Sequence, residues 1–189
     1  MAKHDHDEGI DRRHALECMI WAGTGVLWTL SAGIPKSIGL VGEAAAAEST
    51  GFSFLQISDS HIGFSKPQNP DALGTLQEAI GKVKAMPQGP AFMLHTGDIT
   101  HLSKPNEFDD ADQVISEARL NVHYVPGEHD IIDAGRGKAY LDRYGKGTKG
   151  DGWYSFDDHG VHFVGLVNVV DLKGGGLGNL GETQLAWLA

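Results

Sequence analysis

The stretch Phe52-Ser-Phe-Leu-Gln-Ile-Ser-Asp-Ser-His61 joins a short apolar run to polar residues of the types that bind metals. Its first six residues predict a buried β-strand. Two later stretches have the same form: the apolar residues 91–95 precede Gly97-Asp98, and residues 121–125 precede Gly127-Glu-His-Asp130. Each predicted strand therefore leads into a cluster of carboxylates and imidazoles.

Helical patterns separate these strands. Apolar residues at Leu73, Leu76, Ile80 and Val83 lie on one face of a helix that is predicted to begin at Asn69-Pro70. A second helix is predicted over residues 105–119, with Phe108, Ala111, Ile115 and Ala118 on its apolar side and acidic residues on the other. Further along, the pattern predicts a short helix over 137–144, a hairpin of 153–156 with 161–170, and a helix from 181.

The order β-α-β-α-β predicts an α/β fold with a largely parallel sheet. The carboxyl ends of parallel strands lie at one edge, where ligands bind. Asp59 and His61 are alternate residues of a segment expected to be extended, so both side chains should reach one ion. Gly97 and Gly127 are expected to free the backbone for a sharp turn before the next cluster.

The donor set contains carboxylates and imidazoles and no thiolate, which suits Mn, Fe or Zn better than Ca. Two such ions roughly 3.5–4 Å apart, bridged by a shared carboxylate, are a standard arrangement for phosphoester hydrolysis. The three motifs Asp59-x-His61, Gly97-Asp98 and Gly127-Glu-His-Asp130, in this order, resemble those of the calcineurin-like metallophosphoesterases. The resemblance covers about residues 52–189 and implies a layered α/β sandwich, of which this chain is expected to hold the N-terminal half.

The resemblance also implies a function and a set of roles. The reaction would be hydrolysis of a phosphomonoester or phosphodiester by a hydroxide that two metal ions activate. Asp59 and His61 would bind the first ion, Asp98 would bridge the two, and Glu128 would bind the second. His129 would contact the phosphate and assist the leaving group.

Other features of the resemblance concern neighbouring residues. Asp130 would orient His129 and fix its tautomer. Glu128 stands where the family usually has Asn, and its charge must coexist with an anionic phosphate. His101 stands where purple acid phosphatases have a tyrosine ligand, which argues against that subgroup and makes His101 a candidate neighbour of the site.

The family's later His and Gly-His-x-His ligands are missing from the 189 residues, and the later histidines His159 and His162 lie on the predicted hairpin. We therefore expect the catalytic domain to continue past Ala189. The alternative is an exported, non-catalytic fragment that binds metal or phosphate. A third possibility is dinucleotide binding by Gly176-Leu-Gly-Asn-Leu-Gly181, although this motif comes last among the strands rather than first.

Composition restricts the partners. Apolar residues make up 41% of the chain, enough for a core, and the net charge of −10 argues against binding to duplex nucleic acid. The single cysteine, Cys18, excludes an internal disulfide and a cysteine-rich zinc site.

The first 47 residues are expected to be an export signal and linker, followed by the phosphoesterase domain at 48–189. Arg12-Arg13 precedes an uncharged run over residues 18–34, and Ala44–Ala47 offers a small-residue cleavage site. The arginine pair resembles the twin-arginine class of bacterial signals. We therefore expect recognition by the twin-arginine export machinery, a periplasmic or secreted location, and no stable membrane span after cleavage.

Overall fold

The computed structural model describes residues 25–31, 34–39, 52–172 and 178–189. The strands are β1 (Val26–Ser31), β2 (Ile34–Gly39), β3 (Phe52–Ile57), β4 (Phe92–His95), β5 (Asn121–Tyr124), β6 (Tyr154–Asp158) and β7 (Val161–Gly165). Within these residues the α-helices are α1 (Ala72–Lys84), α2 (Pro105–Ser116), α3 (Lys138–Tyr144) and α4 (Gly181–Leu188), and a 3₁₀ turn spans Glu128–Asp130.

The central sheet has the strand order β2-β1-β3-β4-β5. Strands β3, β4 and β5 are parallel, with Leu55 opposite Met93 and Leu94 opposite His123. The predicted β-α-β-α-β unit is thus confirmed, and so is the hairpin, because β6 and β7 pair in antiparallel fashion. The mixed α/β architecture places the carboxyl ends of β3, β4 and β5 at one edge.

Two further strands come from the first 47 residues, which the sequence predicts to be an export signal and linker. Strand β1 pairs antiparallel with both β2 and β3. The indole Nε1 of Trp28 donates to Gln56 Oε1 at 2.9 Å, and its ring stacks on Phe54 at 6.3 Å. Arg12-Arg13 and Ala44–Ala47 lie outside the described residues, so the signal and its cleavage stay predictions. None of the described helices is long and apolar enough to cross a membrane.

Helix α1 begins later than predicted. Its N-cap is Asp71, whose Oδ1 accepts from Gly74 N at 2.8 Å, and the helix starts at Ala72 rather than Pro70. Asn69 supports the turn from outside the helix, since its Oδ1 accepts from Thr75 Oγ1 at 3.2 Å. The cap is set by which Asx side chain reaches a free N–H of the first turn, and here that side chain is Asp71.

The apolar faces of α1 and α2 pack on one side of the sheet. The predicted face residues Leu76, Ile80, Val83, Phe108, Ala111 and Ile115 are buried against Leu55 and Met93, with Leu73 and Ala118 at the margin. One acidic residue of α2 does not face the solvent. Glu107 is buried, and its Oε2 accepts from Leu102 N at 2.7 Å, which joins the helix start to the loop after β4.

An aromatic layer covers the other side of the sheet. Phe156 and Phe163 of the β6–β7 hairpin contact Phe92 at centroid distances of 5.4 and 5.2 Å. His123 stacks on Phe156 at 3.7 Å and so belongs to this aromatic layer. The sheet is therefore held from both sides, and its carboxyl edge is supported by two packed layers.

Candidate metal centre

The loops that follow β3 and β4 run side by side beyond the strands. Asp59 N donates to Gly97 O at 3.0 Å, and His61 N donates to Asp98 O at 2.9 Å. Ile62 N continues the ladder to Ile99 O at 2.9 Å, and both of these side chains are buried. The first two polar clusters are thereby joined through main-chain hydrogen bonds, and the position of each ligand residue depends little on its own side chain.

Two glycines allow the loop after β5 to approach this pair. Gly97 has φ +106°, and a Cβ on it would lie 2.4 Å from Gly127 N. The expectation that Gly97 frees the backbone for a turn is confirmed. Gly127 has an ordinary φ of −92°, so the same expectation is wrong for this residue. Gly127 is required for space instead, because its Cβ would lie 2.1 Å from Asp98 Oδ1.

A first group of potential metal ligands consists of Asp59, His61 and Asp98, whose ligand atoms lie within 4.8 Å of one another. His61 Nε2 is 3.9 Å from Asp59 Oδ1 and 3.5 Å from Asp98 Oδ2. The predicted convergence is present, but the predicted extended segment is not. Asp59, His61 and Asp98 have φ values of 58°, 42° and 51°, a left-handed conformation that costs free energy in residues with a Cβ.

A second group consists of Asp98, Glu128 and His129, again within 4.8 Å. His129 N donates to Asp98 Oδ1 at 3.0 Å, which holds the 3₁₀ turn against the loop after β4. Glu128 is exposed at the open side of the group. Asp98 belongs to both groups, so its carboxylate lies between them.

The electrostatics of the site depend on burial. Burial raises the pKa of Asp98 to about 7, an effect that the hydrogen bond from His129 N partly offsets and that the nearby Asp130 and Asp59 reinforce. Burial lowers the pKa of His61 to about 4, and the neighbouring His129 and His101 lower it further. At neutral pH His61 is therefore in the uncharged form that binds metals, while the acidic cluster around Asp98 favours a nearby cation.

Asp130 does not have the position that the resemblance implies. Its carboxylate is buried and accepts hydrogen bonds from Ile99 N, Thr100 N, Thr100 Oγ1 and Gly127 N at 3.1, 2.9, 3.0 and 3.0 Å. The ring of His129 is oriented by a different group, because its Nδ1 donates to the main-chain oxygen of His101 at 2.7 Å. The expected Asp130–His129 pair is thus a wrong prediction; Asp130 ties the second polar loop to the third.

His95 supports the site from within the core. It is fully buried, as its position in an apolar strand predicts, and burial lowers its pKa to about 3. Gly97 N donates to its Nδ1 at 3.3 Å, so its Nε2 carries the proton and donates to Ser60 Oγ at 3.0 Å. Ser60 Oγ in turn donates to Ile99 O at 3.0 Å. Sequence reasoning missed the function of Ser60, and only its position between Asp59 and His61 could have indicated it.

His101 lies beside the two groups. Its ring is 5.0 Å from that of His129 and 5.9 Å from that of His61, and ring nitrogens of these three residues also lie within 4.8 Å of one another. Burial, and then the nearby His129, lower the pKa of His101. The sequence places His101 near the site but does not show that its ring faces the ligands.

The remaining candidates lie elsewhere. His159 bonds to the neighbouring Asp158, and His162 Nδ1 bonds to Asp157 Oδ1 at 2.8 Å on the β6–β7 hairpin. Neither belongs to a ligand group found among the described residues. Residues 173–177, which include Gly176 of the glycine motif, lie outside the described part of the chain, so the structure does not test the dinucleotide alternative.

The residues at this edge fit a metal centre. They offer imidazole and carboxylate donors in reach of one another, and the shared carboxylate is half-buried at a place where a cation would compensate its charge. Comparison with curated proteins finds no match for this chain. The family model for the calcineurin-like phosphoesterases matches residues 52–188, which contain all three polar clusters. The chain belongs to the calcineurin-like phosphoesterase family.

Proposed function

We propose that this protein hydrolyses phosphomonoesters or phosphodiesters with the help of two metal ions of the Mn, Fe or Zn type. The observation that carries the proposal is the membership of Asp98 in both ligand groups. A carboxylate between two sets of donors is suited to bridge two ions, and paired ions stabilise the attacking and leaving oxygens of a phosphoester displacement.

The roles divide among the loops. Asp59 and His61 would hold the first ion together with Asp98, and Glu128 would hold the second ion together with the same carboxylate. When bound, the ions supply Lewis acidity and lower the pKa of water, so that it can act as the nucleophile. The chain's own contribution is to hold these donors in place through the backbone ladder and through Asp130.

His129 would handle the leaving group. Its Nδ1 donates to His101 O, so its Nε2 is the atom that remains for the substrate. When protonated, Nε2 would donate a hydrogen bond to a phosphoryl oxygen or a proton to the departing alkoxide. A ring nitrogen of His129 lies within 4.8 Å of ligand oxygens of Asp98 and Glu128, which makes metal binding the competing role.

The exposed carboxylate of Glu128 bears on the substrate class. It would bind an ion more firmly than the amide that the family usually has here, but it leaves less positive charge for the phosphate. A phosphodiester carries one negative charge where a monoester carries up to two, so we expect the diester to be preferred.

The test compares wild type with Asp98→Asn in the full-length protein as its gene encodes it. We expect Asp98→Asn to lose metal and nearly all turnover of an aryl phosphodiester assayed with added Mn²⁺, because one oxygen of the bridge becomes an amide. Asp110→Asn, an exposed acid on α2, is the matched control and should keep both. Full activity of Asp98→Asn in a preparation with verified metal content would refute the two-ion proposal.

Two further outcomes separate the alternatives. His129→Ala should lower turnover while metal stays bound; loss of metal would make His129 a ligand instead. A wild-type protein that binds metal and turns over neither monoester nor diester would support the non-catalytic binding function.

We also propose that the protein is exported by the twin-arginine machinery to the periplasm or beyond. The support is Arg12-Arg13, the uncharged run after it and the small residues at Ala44–Ala47. Replacing Arg12-Arg13 with two lysines should abolish export in a bacterial host, measured by cell fractionation and by N-terminal sequencing of the product. Unchanged export of this variant would exclude the proposed signal.

A further inference from the structure

A cluster of three imidazoles overlaps the two ligand groups, and its third member has no assigned role. Ring nitrogens of His61, His101 and His129 lie within 4.8 Å of one another. We propose that His101 is an additional metal ligand, which binds through a ring nitrogen the same ion that His61 holds. The inference rests on the proposed metal-dependent function and adds to it a residue outside the three sequence motifs.

The hydrogen bonding of His101 supports this assignment. Its Nδ1 is buried, and among the described residues it has no hydrogen-bond partner. Buried polar atoms in native structures almost always have a partner, and an atom without one calls for an explanation such as an ion. A metal ion in the cluster would use a lone pair that the protein itself leaves unused.

The main chain holds His101 in place independently of its ring. Its N donates to Ile62 O at 2.9 Å, and its O accepts from His129 Nδ1 at 2.7 Å. The ring stacks on His129, with an interplanar angle of 19°, and meets the edge of Phe64 at 4.9 Å. A different ring at position 101 can therefore keep the backbone contacts and the packing, so that the loss of the nitrogen alone can be tested.

The chemistry of the cluster also favours an ion. Imidazoles brought together repel one another when protonated, whereas the neutral imidazoles of His61 and His101 would form, with the nearby carboxylates, a nitrogen and oxygen donor set of the kind that zinc binds. If His101 binds the first ion, that ion has more nitrogen ligands than the second ion, whose ligands include the exposed carboxylate of Glu128. The two positions would then differ in metal preference, with the first favouring Zn²⁺ over Mn²⁺.

The test uses Co²⁺ and Zn²⁺ binding to the full-length protein, measured by titration calorimetry and by the visible spectrum of bound Co²⁺. His101→Phe keeps a stacked ring and removes the nitrogens, and we expect at least a tenfold loss of affinity. His162→Phe makes the same change at an exposed histidine of β7 and should bind as wild type does. His101→Cys offers a thiolate instead and should add a near-ultraviolet sulfur-to-cobalt charge-transfer band that wild type lacks.

The outcomes are distinct. If wild type binds Co²⁺, and His101→Phe binds it equally well while His101→Cys shows no new band, His101 is not a ligand and the proposed function stands. If neither wild type nor His162→Phe binds metal, the proposed function and this inference are both overturned. Should His101→Phe fail to fold, as judged by circular dichroism, the band in His101→Cys decides alone.

Discussion

Replacing Asp130 with Asn tests how the ligand loops are held together. The Asp130 carboxylate accepts four hydrogen bonds from the loops at Ile99-Thr100 and Gly127, and its side chain is fully buried. Burial raises the pKa of Asp130, and the hydrogen bonds from Thr100, Gly127 and Ile99 offset part of that rise. The four donors are arranged for a group that only accepts.

The expected loss follows from counting these donors. An Asn side chain keeps one oxygen, which can still serve Ile99 N and Gly127 N, while its amide group faces Thr100. The Thr100 hydroxyl can rotate to accept from that amide, but the Thr100 N–H is left buried without an acceptor. An unsatisfied buried donor costs about 1–3 kcal/mol, and the bonds that remain lose the strength that the charge gave them. We expect the free energy of unfolding to fall by about 2–4 kcal/mol.

Urea unfolding followed by circular dichroism measures this change. With an m-value of about 2 kcal/mol/M, the midpoint should fall by about 1–2 M without a change in slope. Asp110→Asn on the exposed side of α2 is the control and should shift the free energy by less than about 0.5 kcal/mol. If Asp130→Asn unfolds at the same urea concentration as this control, the view that Asp130 holds the two loops together is refuted.

Three further changes test other parts of the structure. In the apoprotein, His95 should contribute a loss of stability as the pH falls from about 6.5 towards 3, because the unfolded chain protonates His95 and the folded core does not. His95→Gln should remove this contribution from the pH dependence of urea unfolding. Gly97→Ala should cost more than about 3 kcal/mol in the same assay, because it adds a Cβ at φ +106° against Gly127 N, whereas Gly89→Ala has open space and should cost little. In the uncleaved chain, which keeps its first 47 residues, Trp28→Ala should lower stability by about 2–3 kcal/mol through its lost contacts with β3; an unchanged thermal midpoint would mean that β1 does not pair in the folded protein.

Much of the fold was predictable because its signals are local. Strand β3 begins and ends at the predicted residues, and β4 and β5 differ from their predictions by one residue. Helix α2 begins at Pro105 as predicted and ends three residues before Arg119. The spacing of apolar residues along a strand or helix indicates which of its residues are buried. The order of strands and helices then leaves few possible topologies for the sheet.

The hairpin of β1 and β2 was not predicted. An uncharged run with Gly, Thr and Ser is compatible with an export signal, with a buried strand and with a helix, because hydrophobicity alone does not specify which part of the protein the run packs against. Pairing with β3 depends on an edge that exists only once β3 and β4 have formed. The contact of Trp28 with Gln56 joins residues 28 positions apart, and no local pattern contains that information.

The sequence by itself determined which residues carry the chemistry. Asp59, His61, Asp98, Glu128 and His129 follow the ends of three strands, and parallel strands bring such ends to one edge whatever the details of the loops. Only the tertiary structure decided how they are held. Asp130 bonds to a loop 30 residues away instead of to His129, and Ser60 bonds to His95 35 residues away. Whether such a hydrogen bond forms depends on shifts of a few tenths of an ångström in the distance between donor and acceptor. When the two groups lie on separate loops, that distance is set only after the sheet has brought the loops together.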